Sequence, residues 1–256
     1  MWNADATYWG KHSPVLFPIV GTLKENTYYY NGKAYNLPRH GFAREKLFTA
    51  EQLSKTEALF SLTDDAQTHT IFPFEFILRL RYRLQEQRLS CSYEISNPGK
   101  SDLLFSLGAH PAFALPFTPN SKYTDYYLQF NKAEKLERFK LEDGLISKVT
   151  ELLPTPGNRL ALQAALFYED AVVLKNIQSN QITLASDEHP HGFHFHFNNF
   201  PFFGIWAAKD APFICLEPWC GIADSLDHNQ LLEEKEGIVR LTPGAEFERT
   251  WQVECF

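Results

Sequence analysis

FILRLRYRL (Phe76–Leu84) and, after the short Gln85-Glu86-Gln87 break, RLSCSYEIS (Arg88–Ser96) are the stretches whose reading decides the architecture. In the first, Phe76, Leu78, Leu80, Tyr82 and Leu84 alternate with Ile77, Arg79, Arg81 and Arg83. In the second, Leu89, Cys91, Tyr93 and Ile95 alternate with Ser90, Ser92 and Glu94. Period-two alternation puts one face of a strand on a core and the other in water. The break between the runs predicts a hairpin, and Asn97-Pro98-Gly99 predicts a turn closing its second strand. Near the C-terminus, Phe247, Arg249, Trp251, Val253 and Cys255 alternate again after Pro243-Gly244.

Working outward, helical patterns are few. Residues 158–167 (NRLALQAALF) read as a short helix, and residues 227–237 (DHNQLLEEKEG) as about two turns ending at Gly237. No repeat, low-complexity tract or Gly/Ser linker interrupts the chain. Many short strands separated by turns predict an all-β fold, one large antiparallel sandwich with few short helices, formed by residues 1–256 as a single domain. Aromatic residues make up 15% of the 256, a composition that favours strands.

Composition narrows function by exclusion. The net charge of -7 and pI near 5.7 carry no nucleic-acid footprint. No apolar run approaches the ~20 residues of a membrane span. The opening MWNADATYWGKH lacks the basic and apolar regions of a secretory signal. The four cysteines, Cys91, Cys215, Cys220 and Cys255, form no C-x-x-C pair and read as free thiols of a reducing cytoplasm. The chain has no G-x-S-x-G, P-loop, dinucleotide fingerprint or H-E-x-x-H, so serine hydrolase, kinase and dehydrogenase readings lose their usual support.

Four stretches carry candidate chemistry. HPHGFHFHF (189–197) places His194 and His196 on one face of a strand and Phe193, Phe195 and Phe197 on the other. Without a carboxylate or cysteine at ligand spacing, it reads as a half-buried strand rather than a metal site. In FICLEPWCGIAD (213–224), Glu217 follows an apolar run and precedes Pro218, which predicts a strand-end carboxylate. Desolvation there raises a carboxyl pKa and suits a base near neutrality, although a structural salt bridge fits the same residues. Trp219 beside it offers a flat apolar face for a sugar ring. PRHGFARE (38–45) sets His40 and Arg44 around a glycine bend, either as an exposed basic loop or as donors to an oxygen-rich ligand. In SLGAHPAF (106–113), Pro111 keeps His110 out of any helix. Its imidazole therefore leaves a strand end or loop, as a structural or a proton-transferring group.

Taken together, LFPIVG (16–21), RHGFAR (39–44), GAHPAF (108–113), EDAVVL (169–174), CLEPWCGIAD (215–224) and LTPGAEF (241–247) resemble the aldose 1-epimerase (galactose mutarotase) superfamily, and within it the LacX-like branch. The resemblance implies a galactose mutarotase-like β-supersandwich that interconverts the α and β anomers of a free sugar without a cofactor or metal. By motif, His110 resembles the family's general acid, Glu217 its general base, His40 a substrate-binding histidine, and Asp170 a carboxylate that binds sugar hydroxyls. Arg44 and Trp219 join them as substrate-binding candidates. The expected partner is a small sugar, with no nucleic acid or membrane. The chain departs from the family twice. Against the resemblance, it is expected to be without the family's first N-terminal strands, either as a shortened member or because Met1 is an internal start, and Thr22 stands where relatives often have arginine, a loss for which Lys24 or Arg44 could substitute. Two other readings remain: a hexose-phosphate mutarotase, with Arg39 and Arg44 on the phosphate, and a non-catalytic sugar-binding protein on the same scaffold.

Overall fold

The three alternating runs pair with one another and found the larger sheet. The computed structural model describes residues 1–256. Ile77–Gln85 and Arg88–Ser96 form the expected hairpin, with Leu78 opposite Ile95 and Leu80 opposite Tyr93. Glu246–Cys255 runs antiparallel along the other side of Arg88–Ser96, with Trp251 opposite Cys91. On the solvent face of the hairpin, Arg81 bridges Glu94 (2.6 Å) and Glu57 (3.0 Å). The basic face is thus balanced by neighbouring strands.

Growth from this centre gives a nine-stranded sheet. Its order is 159–161, 126–130, 181–186, 193–197, 246–255, 88–96, 77–85, 57–63, 49–54. A seven-stranded sheet runs 145–152, 137–142, 172–175, 202–206, 213–220, 107–108, with 112–114 also paired to 213–220. All the strand pairs within these sheets are antiparallel. Phenylalanines join the two faces: Phe197 meets Phe203 at 4.4 Å between ring centres and Phe193 meets Phe113 at 4.5 Å. As the alternation predicted, Phe193, Phe195 and Phe197 are buried and His194 and His196 face outward. One cluster of 56 buried residues draws on both sheets, so the sandwich has a single main core. Burying each large apolar side chain contributes roughly 1.5–3 kcal/mol.

Three local expectations change. Residues 158–167 do not form a helix: Arg159–Ala161 is an edge strand on Tyr126–Phe130, followed by the 3-10 turn Ala164–Phe167. Leu160 and Leu162 are buried with Ala161 exposed, a period of two that extended backbone satisfies. Within 227–237 only Leu232–Glu234 winds, as a single 3-10 turn; Gln230, at φ 67°, breaks any longer helix. The one α-helix, Ala66–Ile71, follows a capping box in which Asp65 accepts from Thr68 N and Thr68 Oγ1 accepts from Asp65 N. No helix is long and apolar enough to cross a membrane.

Candidate active site

The site begins with an interruption in a ladder. Strand Phe213–Cys220 pairs with Leu107–Gly108 through Trp219 and Cys220, and with Ala112–Ala114 through Phe213, Ile214 and Cys215. Between those registers, Ala109–Pro111 leave the ladder, held by Ala109 N to Pro218 O (3.1 Å) and Leu216 N to Pro111 O (3.2 Å). His110 therefore projects from a gap, as its Pro111 neighbour implied. Glu217 is not at a strand end as expected but inside Phe213–Cys220, opposite Gly204. The ladder tolerates Pro218 because its missing N–H falls beside this gap.

The gap brings the two groups together. His110 Nε2 lies 3.4 Å from Glu217 Oε2, and the residues are 8% and 2% exposed. Burial pushes the His110 imidazole down to about 3 and raises the Glu217 carboxyl well above its ordinary value. Arg39 partly offsets the carboxyl's rise, whereas Asp170 adds to it. Burial thus disfavours the charged form of both members, the carboxylate of Glu217 and the imidazolium of His110.

His40 comes from the turn Pro38–Gly41 and has left-handed backbone at φ 69°. Two reciprocal hydrogen bonds hold this uncommon geometry: His40 N to Gly21 O (2.9 Å) and Gly21 N to His40 Nδ1 (3.1 Å). Gly41 follows at φ 70°, and any Cβ there would lie 2.3 Å from Phe17 O. Because Nδ1 accepts from Gly21, the neutral ring carries its proton on Nε2. Burial, then the charges of His110, Arg39 and Arg44, lowers the His40 pKa well below the usual range and keeps it neutral.

The rim is polar. Arg39 reaches Asp170 Oδ1 at 3.7 Å, and Asp170 Oδ1 also accepts from Ala171 N (2.7 Å). Arg44 lines the pocket but donates from Nη2 to the Arg39 carbonyl (2.8 Å), which braces the arginine turn. Neither Thr22 nor Lys24 lines the pocket; Lys24 Nζ instead donates to His228 O. Of the cations proposed to substitute at Thr22, Arg44 alone is in place.

Aromatic walls complete a pocket of about 290 Å³ that holds His40, Arg44, His110, Asp170, Glu217 and Trp219 together. Trp219 lies flat across Gly204, where a Cβ would fall 2.4 Å from the indole. Two further walls, Trp9 and Trp206, had no motif to announce them. Trp9 comes from the N-terminal coil and Trp206 ends strand Phe202–Trp206. Only their shared neighbour, His110, reveals them.

Cys215 Sγ, His110 and Glu217 present donor atoms within 4.8 Å of one another, a set that the sequence spacing did not suggest. Burial, with Glu217 next, pushes the Cys215 thiol well above its ordinary range, which favours a packed neutral thiol over a thiolate ligand.

A buried carboxyl–imidazole pair lies on the floor of a pocket walled by indoles and rimmed by charged side chains, on a double-sheet scaffold of the carbohydrate epimerase class. The chain belongs to the aldose 1-epimerase family, whose profile matches residues 1–250. It is similar to Protein LacX of Lactococcus lactis subsp. lactis, plasmid and chromosomal, each 32% identical over 254 residues covering 95% of this chain and 85% of the relative. A galactose mutarotase related enzyme from Lactobacillus acidophilus superposes with TM-score 0.94 at 34% identity, covering 100% of this chain and 86% of that one. A galactose mutarotase-like protein from Lactobacillus casei gives 0.92 at 32%, covering 100% and 88%. The fold is thus galactose mutarotase-like, as expected.

Proposed function

We propose that the protein is an aldose 1-epimerase that interconverts the α and β anomers of an aldohexose, with Glu217 and His110 as its acid–base pair. The observation that supports this best is the 3.4 Å contact between these two buried groups at the pocket floor. Passing the carboxyl's proton to the imidazole gives a carboxylate and an imidazolium without changing the pair's net charge. Glu217 then takes the proton of the anomeric hydroxyl while His110 delivers one to the ring oxygen. The C1–O5 bond breaks and the free aldehyde forms. Rotation about C1–C2 presents the other carbonyl face, and closure returns both protons by the reverse route. Each transfer is typically worth about 10²–10⁴-fold.

The other side chains bind and orient. His40 Nε2–H donates to a sugar hydroxyl, and Asp170 accepts from one while Arg39 donates beside it. Trp219 packs against the apolar face of the ring. Arg44 supports the turn that carries Arg39 and His40. No step calls for a cofactor.

The test is anomer exchange by NMR saturation transfer with glucose and galactose, comparing wild type with Glu217→Gln and His110→Ala. Acceleration by wild type that is lost in both variants supports the reading. Sugar binding without acceleration would instead identify a carbohydrate-binding protein. One observation favours a second substrate class: Lys11, Arg39 and Arg44 all line the pocket. A strong preference for glucose 6-phosphate over glucose would make the protein a hexose-phosphate mutarotase.

A further inference from the structure

We propose that Trp9 is a positioning residue of the acid–base pair: its indole face holds the His110 imidazole towards Glu217 and stabilises it when protonated, so that segment 2–13 is a working part of the active site. The functional half of this rests on the epimerase reading; the placement does not.

The first observation is something His110 lacks. A catalytic histidine is commonly oriented by a hydrogen bond from its second ring nitrogen to a carbonyl or carboxylate. Here His110 Nδ1 is buried and meets no carbonyl or carboxylate of another residue; only the backbone of His110 itself lies near it. Packing must therefore set the plane of the ring. Three rings surround it: Trp9 stacked at 5.0 Å and 23°, Trp206 edge-on at 5.7 Å and 85°, and His40 edge-on at 6.2 Å and 79°. Trp9 alone presents a face to a face. An aromatic face over a cation is favourable, most of all for tryptophan. The contact thus counteracts the burial that otherwise disfavours the imidazolium, the form that must donate to the ring oxygen.

The second observation is how firmly Trp9 is held. Its carbonyl accepts from Trp2 Nε1 (2.9 Å) and its amide donates to Asp5 O (2.9 Å). Its ring stacks on Phe213 (5.6 Å, 24°) and meets Trp206 edge-on (5.5 Å, 73°). The same segment grips the backbone beside His110 at two points: Trp2 N donates to Ala112 O (2.9 Å), and Ala112 N donates to Ser13 Oγ (3.2 Å). Coil that merely covered the sandwich would not need to clasp the residue two positions beyond the proposed acid. Lys11, from the same segment, reaches the rim and pairs with Glu45 at 3.0 Å.

The experiment compares Trp9→Phe, Trp9→Leu and Trp9→Ala with wild type, each first shown to be folded by circular dichroism and thermal unfolding. Leucine keeps apolar bulk without an aromatic face, and phenylalanine keeps the face. For anomer exchange, kcat is expected to fall roughly tenfold in Trp9→Leu and Trp9→Ala, with KM within about twofold and most of kcat recovered in Trp9→Phe. A raised KM at wild-type kcat would overturn the proposal and leave Trp9 as a sugar platform. Equal kcat in Leu and Phe variants would also overturn it, because bulk alone would then suffice. In parallel, the His110 ring protons are read by NMR. They are expected upfield in wild type from the indole ring current, and downfield of that position in Trp9→Leu. An unchanged shift overturns the placement. If wild type fails to accelerate exchange while the ring shift is present, the epimerase reading fails and takes the catalytic purpose of Trp9 with it, but the stacking stands.

Discussion

At the scale of the residue, the proposed acid–base chemistry requires the pair His110–Glu217 to carry one transferable proton between them. Adding a second proton makes a buried cation and removing the last makes a buried anion; desolvation opposes both. The pH profile of kcat/KM is therefore expected to be a broad plateau, with its acid limb below and its alkaline limb above the ordinary values of an isolated histidine and glutamate. Glu217→Gln is expected to abolish the plateau and lower kcat/KM by about 10²–10⁴-fold. Saturation transfer across pH 4–9 measures both, and an acid limb near pH 6.5 would show that His110 is not desolvated.

The same two groups bias stability in opposite directions. The His110 pKa is lowered from 6.5 to about 3 on folding. Over that window the unfolded chain binds a proton that the folded one refuses, so stability falls as pH falls from 6.5 towards 3. The Glu217 pKa is raised well above 4.5. Above pH 4.5 the folded chain keeps a proton that the unfolded one releases, so its contribution falls as pH rises. The slopes oppose one another between 4.5 and 6.5. Relative to wild type, His110→Gln should lose less stability on acidification below 4.5, and Glu217→Gln less on alkalinisation above 6.5. Unfolding midpoints collected across pH test both signs.

At the scale of the element, the loop after strand Phe213–Cys220 carries Ile222 and Ala223 into the pocket and is fastened by a buried charge pair. Asp224 takes Lys235 Nζ on Oδ1 (2.7 Å) and the Lys24 amide on Oδ2 (2.9 Å), with His228 Nδ1 at 3.4 Å. Both partners of the ion pair are almost fully buried. Removing one leaves the other charge unpaired, so Lys235→Met is expected to cost about 3–5 kcal/mol, read by denaturant unfolding. The double change Asp224→Leu with Lys235→Met should recover part of that loss. At Gly204 the constraint is space: Gly204→Ala places a methyl group 2.4 Å from Trp219. It should destabilise by about 1–3 kcal/mol and raise KM as the indole swings away from the sugar face.

Elements also show where reading from sequence alone loses ground. The hairpin 77–96 was legible because five apolar positions alternated without exception, and its register follows from pairing greasy face to greasy face. Residues 158–167 were misread because alanine and leucine satisfy either period, and the pairing of Arg159–Ala161 with Tyr126–Phe130 settles it. The helix Ala66–Ile71 escaped notice because its box ends in threonine rather than glutamate or glutamine, and its six residues show no amphipathic repeat.

At the scale of the whole molecule, one core spanning both sheets predicts one cooperative transition. Phe203 sits at its centre, fully buried and against Phe195 and Phe197 of the opposite sheet. Phe203→Ala is expected to cost about 3–5 kcal/mol and to lower the single midpoint without splitting it. Separate calorimetric transitions for the two sheets would contradict that.

By itself, the sequence determined the strand-rich sandwich and pointed to six of the side chains that line its pocket, because period-two burial and short motifs such as GAHPAF and CLEPWC are local properties of the chain. The tertiary structure decided what no local property holds. It placed Glu217 inside a strand and His110 in the gap beside it, brought His40 from about seventy residues upstream, and laid Trp9 across the imidazole. These are relations between distant segments, and they exist only where long-range packing and desolvation bring those segments together.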